Sequence, residues 1–113
     1  MAAPTRDDAF LMVELAKWGT ALGLGDALPA LLNESFDPDT ADLGDANVRT
    51  VLQFGESVAT LTKHGLLSAE LVNDWLWVSG LWSRVGPAAL RARETYGEPR
   101  LYENFEALAT RQV

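Results

Sequence analysis

Apolar residues recur at helical spacing along the stretch from Ser68 to Gly97. Steps of four, three, four and three residues separate them, which is the period of one helix face. The members of this stripe are Leu71, Trp75, Val78, Trp82 and Val85. The stretch therefore predicts a central helix around which the rest of the chain packs, with Trp75 and Trp82 largely buried.

Pro87 lies within this stretch and limits how far one straight helix can continue. A proline in a helix interior removes a backbone hydrogen bond and collides with the carbonyl group four residues earlier. An unbroken helix here would be roughly 43 Å long, whereas a compact domain of this size is only about 30–35 Å across. We therefore expect a kink or short break at Val85–Pro87.

Shorter apolar stripes predict the other helices. The first follows a capping-box pattern at Thr5 and Asp8, and glycines at 23 and 25 end it. A short helix comes directly afterwards, and a third helix is expected from about Ala46 to His64. Gly55 lies on the stripe of that third helix and would let another helix approach closely.

The remaining segments complete an all-helical pattern. Residues 34–45 are acidic and rich in turn-forming residues, which predicts an irregular loop. Gly97 ends the central helix and Pro99 opens the last one. Because no segment alternates in the manner of a strand, we expect residues 1–113 to form a single all-α domain. The predicted architecture is a compact helical bundle of four main helices plus one short helix.

Composition narrows the classes of partner. The net charge is −7, which argues against nucleic acid and anionic membranes as partners because repulsion acts at long range. The first 83 residues hold four Lys/Arg and twelve Asp/Glu, whereas residues 84–113 hold five and four. The sequence contains no cysteine, and its first apolar run is too short for a signal peptide or a membrane span. These features lead us to expect a cytoplasmic protein without direct membrane insertion.

Two segments carry a resemblance to a known family. They are LLSAELVNDW, at residues 66–75, and YGEPRLYENFE, at residues 96–106. Both resemble an uncharacterised family of small bacterial all-helical domains of unknown function, and the similarity extends from about Val13 to Ala109. Relatives often carry an N-terminal membrane-spanning segment, which this sequence lacks. The resemblance implies a helical architecture and carries over no catalytic residue.

No residue pattern indicates an active site, so we expect no enzyme activity, no cofactor and no metal site. His64 is the only histidine, and Leu61 stands where a helical di-iron motif would need glutamate. The aspartates of the acidic loop do not follow a calcium-loop template, because the sixth and twelfth positions lack its glycine and glutamate. Those aspartates are Asp37, Asp39, Asp42 and Asp45.

The most favoured function is therefore a non-catalytic helical module that binds a protein partner or a second copy of itself. On the wheel of an unbroken central helix, Trp77 and Leu81 interrupt a polar face that includes Arg84, and these three are the candidate interface residues. A different possibility is that the first or last helix of the same chain covers them. The alternative function is small-molecule binding in a pocket lined by tryptophan side chains, namely Trp18, Trp75 or Trp82.

Overall fold

The computed structural model describes residues 3–112, which form six α-helices and no strand. The helices are α1 Arg6–Leu22, α2 Leu24–Leu32, α3 Ala46–Lys63, α4 Ala69–Trp75, α5 Val78–Tyr96 and α6 Glu103–Gln112. The all-α class and the irregular acidic loop between α2 and α3 are confirmed. The number of helices is one higher than predicted because the central stretch forms two helices.

The interruption of the central stretch lies at Leu76–Trp77, so its predicted position at Val85–Pro87 is wrong. Leu76 is extended, with φ −121° and ψ 139°, whereas Pro87 lies inside α5. Residues two apart on a helix point about 200° away from each other. The extended link instead allows Leu76 and Val78 to line the same apolar cleft. The 19 residues of α5 span about 28 Å, which fits the longest dimension of 40 Å without a second break.

Asp8 joins the first helix to the fourth. The predicted capping box is present, with the Thr5 N–H donating to Asp8 Oδ2 at 2.7 Å and the Asp8 N–H donating to Thr5 Oγ1 at 3.2 Å. The other carboxylate oxygen, Oδ1, accepts from the Ser68 N–H at 2.9 Å. Ser68 in turn caps α4 through the Leu71 N–H. The hydrogen bond from the Thr5 N–H is the largest cause of a lowered Asp8 pKa, and the Ser68 bond acts in the same direction.

Asp8→Asn should lower the melting temperature at pH 7. Because the pKa of Asp8 in the folded state lies below its ordinary value of 3.8, the stabilisation is present above that value and is lost as pH falls through the folded pKa. The difference from the parent should therefore narrow in melts recorded below about pH 4. Asp7→Asn is the matched control, since it removes the same charge from the same helical turn. Equal effects of the two substitutions at pH 7 would contradict this role for Asp8.

The core is built around α3, which packs against α2, α5 and α6. Gly55 of α3 is the point of closest approach, because a Cβ atom there would overlap the ring of Phe105 in α6. Phe105 is only 1% exposed. The expectation that Gly55 admits a close neighbour is therefore confirmed.

Three tryptophans lie at the border of this core. The rings of Trp18 and Trp75 both pack against the Phe54 ring, with centroid distances of 5.8 and 6.0 Å. Trp82 packs on Phe105 at 5.1 Å. All three are partly buried against the core, so Trp75 and Trp82 pack inward as expected but are not fully enclosed. Phe54, Phe105 and smaller Val, Ala and Leu side chains fill the interior, and the three tryptophan rings cover its rim.

The last helix begins at Glu103, and its predicted start at Pro99 is wrong. Gly97 closes α5 in the left-handed conformation, with φ 63°. Residues 98–102 then form turns, which end with Tyr102 at φ 59°. Glu56 of α3 caps the new helix, since its Oε1 accepts from the Phe105 N–H at 2.9 Å. Residues 96–106, which carry part of the family resemblance, thus build the corner between α5 and α6.

Candidate functional site

Trp77 is one of three aromatic residues that are mostly exposed in residues 3–112, together with Phe10 and Tyr96. It is the N-cap of α5 and is 65% exposed, so neither the first nor the last helix covers it within residues 3–112. Its ring lies directly over Gly80, where a Cβ atom would collide with it. The backbone of α5 therefore supports one side of the ring and leaves the other side open to solvent.

Leu81 does not share the exposure of Trp77. It is half-buried and lines an apolar cleft with Leu24 and Leu28 of α2. The chain break before α5 explains the difference, because the angular relation between residues 75 and 81 on an unbroken wheel does not apply across it. Trp77 therefore faces outward while Leu81 faces the interior.

The Arg84 side chain forms hydrogen bonds with the C-terminal end of α2. Its Nε donates to the Leu31 carbonyl and its Nη2 to the Asn33 carbonyl, both at 2.8 Å. The guanidinium group also lies 5.5 Å from the centroid of the Phe36 ring. A cation is favourable at a helix C-terminus, so Arg84 fastens α2 and the following loop to α5.

Acidic residues precede Trp77 in the chain and basic residues follow it. Glu70 and Asp74 are exposed on α4, before Trp77 in the chain. Arg84 and Arg91 follow it on α5, where Arg91 donates to the carbonyls of Pro38 and Ala41. Carbonyls carry no net charge, and no carboxylate in residues 3–112 lies within salt-bridge distance of either arginine. We call the exposed Trp77 ring, with the Gly80 backbone beneath it, the Trp77 surface.

The interior offers little space for a small molecule. The apolar cleft between α2, α3, α5 and α6 has a volume of about 20 Å³, little more than the roughly 10–15 Å³ that one water molecule needs. Trp18, Trp75 and Trp82 are not among the residues that line it. This cleft is therefore not the tryptophan-lined pocket expected from the sequence.

The candidate metal ligands serve local turns. Asp37 and Asp42 each accept a backbone N–H two residues further on, and Asp45 caps α3 through the N–H groups of Asn47 and Val48. Within residues 3–112, no cluster of three or more acidic or histidine side chains is placed to hold a metal ion. His64 is exposed at the C-cap of α3.

Gly80 belongs to the candidate site, although the sequence pattern did not single it out. It is buried beneath Trp77, and the signal for it was a glycine three residues after an aromatic residue on one helix face.

None of the helices in the described part of the chain combines the length and apolar character needed to cross a bilayer.

The chain belongs to a family described as "Domain of unknown function (DUF4760)", whose model matches residues 11–112. The expectation of an uncharacterised family is thereby confirmed. Neither a curated protein nor a solved structure shows a match to the chain. The family description assigns no activity.

Proposed function

We propose that this member of the DUF4760 family is a non-catalytic helical module that binds a protein through the Trp77 surface. The observation that carries the proposal is the 65% exposure of the Trp77 ring. Covering such a ring removes a large apolar area from water. Tryptophan is also among the residues that most often dominate protein–protein interfaces.

The packing of the Trp77 ring on Gly80 is a second argument for protein binding. The ring rests on the α5 backbone, so a partner that covers its open side need not first order a freely moving side chain. Ordering a side chain on binding costs about 0.5–1.5 kcal/mol. A supported ring avoids much of this cost, which suits a residue that anchors a contact.

Protein binding accounts for these features better than small-molecule binding does. The cleft in the core has space for about one water molecule, whereas the Trp77 ring is open to a partner. A bacterial cytoplasm is the proposed location, supported by the resemblance of the two sequence segments and by a cysteine-free composition suited to a reducing compartment.

A capture experiment with two matched variants tests the proposal. Parent protein, Trp77→Glu and Phe10→Glu would be immobilised and exposed to lysate of the native host, and bound proteins would be quantified by mass spectrometry. Phe10 is the control because it is 75% exposed on α1, so the same charge is introduced at another exposed aromatic residue. We expect at least one protein, the chain itself included, to be retained by the parent and by Phe10→Glu and lost with Trp77→Glu. Equal retention by folded Trp77→Glu would contradict the proposal.

A further inference from the structure

We infer that residues 33–45, the acidic loop between α2 and α3, form a strap that opens as one unit and uncovers the side of α5 beneath it. This inference goes beyond the proposed function and does not involve Trp77. Its basis is a set of hydrogen bonds from three arginine side chains, which fasten the strap to α3 and α5. These arginines are Arg49, Arg84 and Arg91.

Two of the arginines hold the ends of the strap. Arg84 of α5 donates to the Asn33 carbonyl at 2.8 Å, and its guanidinium group lies 5.5 Å from the centroid of the Phe36 ring. Arg49, in the first turn of α3, donates to the Leu43 carbonyl at 2.6 Å. The start of the strap is therefore fastened to α5 and its end to α3.

Arg91 holds the middle of the strap. It lies seven residues after Arg84 on α5, which is about two helical turns. Its Nη2 donates to the carbonyls of Pro38 and Ala41. Both acceptors are main-chain groups, so the position of the strap depends on its backbone and not on its carboxylates.

Hydrogen bonds inside the strap maintain its own shape. The side-chain oxygens of Asn33, Asp37 and Asp42 each accept a backbone N–H two residues further on. Four further N–H groups donate to carbonyls within the strap. Release of the arginines breaks none of these bonds. The strap can therefore move as a unit without unravelling.

Little apolar contact has to be broken for the strap to open. None of residues 33–45, all of which the structure describes, is fully buried. Three of their side chains pack partly against the core, namely Phe36, Ala41 and Leu43. Segments with few buried apolar contacts open with less free energy than the whole domain needs to unfold. The helices can therefore stay folded while the strap is open.

Opening changes the side of α5 that the strap covers. Leu43 and Gly44 line a depression of about 410 Å³ together with Ala88 and Ala92 of α5. Ala88 and Ala92 are 1% and 6% exposed in the closed form. Movement of the strap away from α5 widens this depression and releases the Arg91 guanidinium from its carbonyls. The strap thus controls access to an apolar surface beside a positive charge.

Native-state hydrogen exchange of the purified protein, measured by NMR at individual amides, tests the inference. In the parent, the hydrogen-bonded amides of the strap should share one opening free energy, below that of core amides of α3 such as Val51 and Leu52. Strap amides with the same value as the α3 core would show that the loop is a fixed part of the fold. Strap amides that exchange as fast as those of an unfolded peptide would show that it is not fastened. Either result would overturn the inference.

Arg91→Met tests whether the strap moves as a unit. The variant loses both hydrogen bonds at the middle, so exchange of the strap amides should become roughly tenfold faster or more, as expected for bonds to a charged group. The same factor is expected at the Phe36 N–H, which lies outside the part that Arg91 contacts. Arg100→Met is the matched control, because it removes the same charge from an arginine whose ion pair lies outside the strap, and it should leave strap exchange unchanged. An acceleration confined to residues 38–41 would overturn the single unit.

Single cysteines test what the opening uncovers, since the chain contains none of its own. Ala88→Cys and Ala89→Cys place one thiol at adjacent buried positions, of which position 88 lines the depression and position 89 does not. The thiol at position 88 should react with a soluble thiol reagent roughly tenfold faster or more, because strap opening exposes it while position 89 requires wider unfolding. Equal reaction rates at the two positions would refute the uncovering of α5.

Discussion

Phe105→Ala should lower the free energy of unfolding by about 3–5 kcal/mol, the largest effect expected from a single substitution in this chain. Phe105 is 1% exposed and is the largest fully buried side chain of the core. Its ring fills the space left by Gly55 and contacts the ring of Trp82. Truncation would leave a cavity between α3, α5 and α6 that these backbones cannot readily close. Urea unfolding followed by circular dichroism would measure the change.

Tyr96→Ala is the control for this substitution. Tyr96 is also aromatic and lies near the same helix corner, but it is 68% exposed, and substitutions at exposed positions usually change stability by less than about 0.5 kcal/mol. If Phe105→Ala and Tyr96→Ala gave the same urea midpoint, the assignment of Phe105 to the core would be wrong.

A double-mutant cycle with Gly55 isolates the contact itself. In the parent, Gly55→Ala should destabilise the protein, because the new methyl group overlaps the Phe105 ring and overpacking costs about 1–3 kcal/mol. In the Phe105→Ala background the space is open, so Gly55→Ala should instead stabilise the protein through helix propensity, by up to about 1 kcal/mol. A reversal of sign between the two backgrounds would demonstrate the coupling.

The second large effect is expected at the half-buried tryptophans. Trp82→Ala and Trp75→Ala should each lower the free energy of unfolding by about 2–3 kcal/mol, less than for fully buried aromatic residues. Trp82 covers Gly86 and contacts Phe105, and Trp75 meets Phe54 edge-on. Both rings seal the rim of the core, so their loss admits water to apolar side chains beneath them.

Trp77→Ala is the matched control for these two substitutions because it removes the same side chain from an exposed position. Measured at a concentration where the protein is monomeric, it should cost less than about 1 kcal/mol, in the range of surface substitutions. Equal urea midpoints for all three variants would show that exposure does not distinguish these tryptophans. A large effect at Trp77 alone would show that its main role lies within the fold.

Local chemistry allowed several features to be predicted. The Thr5–Asp8 capping box and the bounds of α3 depend on residues within one helical turn of each other. The close approach at Gly55 could also be foreseen, because a glycine on an apolar helix stripe leaves a space that some neighbour must fill. The identity of that neighbour, Phe105, could not, since 50 residues of chain separate the two.

The sequence by itself determined the helical class, most helix ends and the apolar side of each helix, because these follow from side-chain spacing and short-range hydrogen bonds. Only the tertiary structure decided where the central stretch breaks, because Leu76 is extended and lines the core cleft together with Val78, while Pro87 is accommodated within α5. That break turned Trp77 outward and Leu81 inward, and the carbonyls at the end of α2 determined the partners of Arg84. Each outcome depends on groups distant in the chain, whose relative positions a helical wheel does not contain.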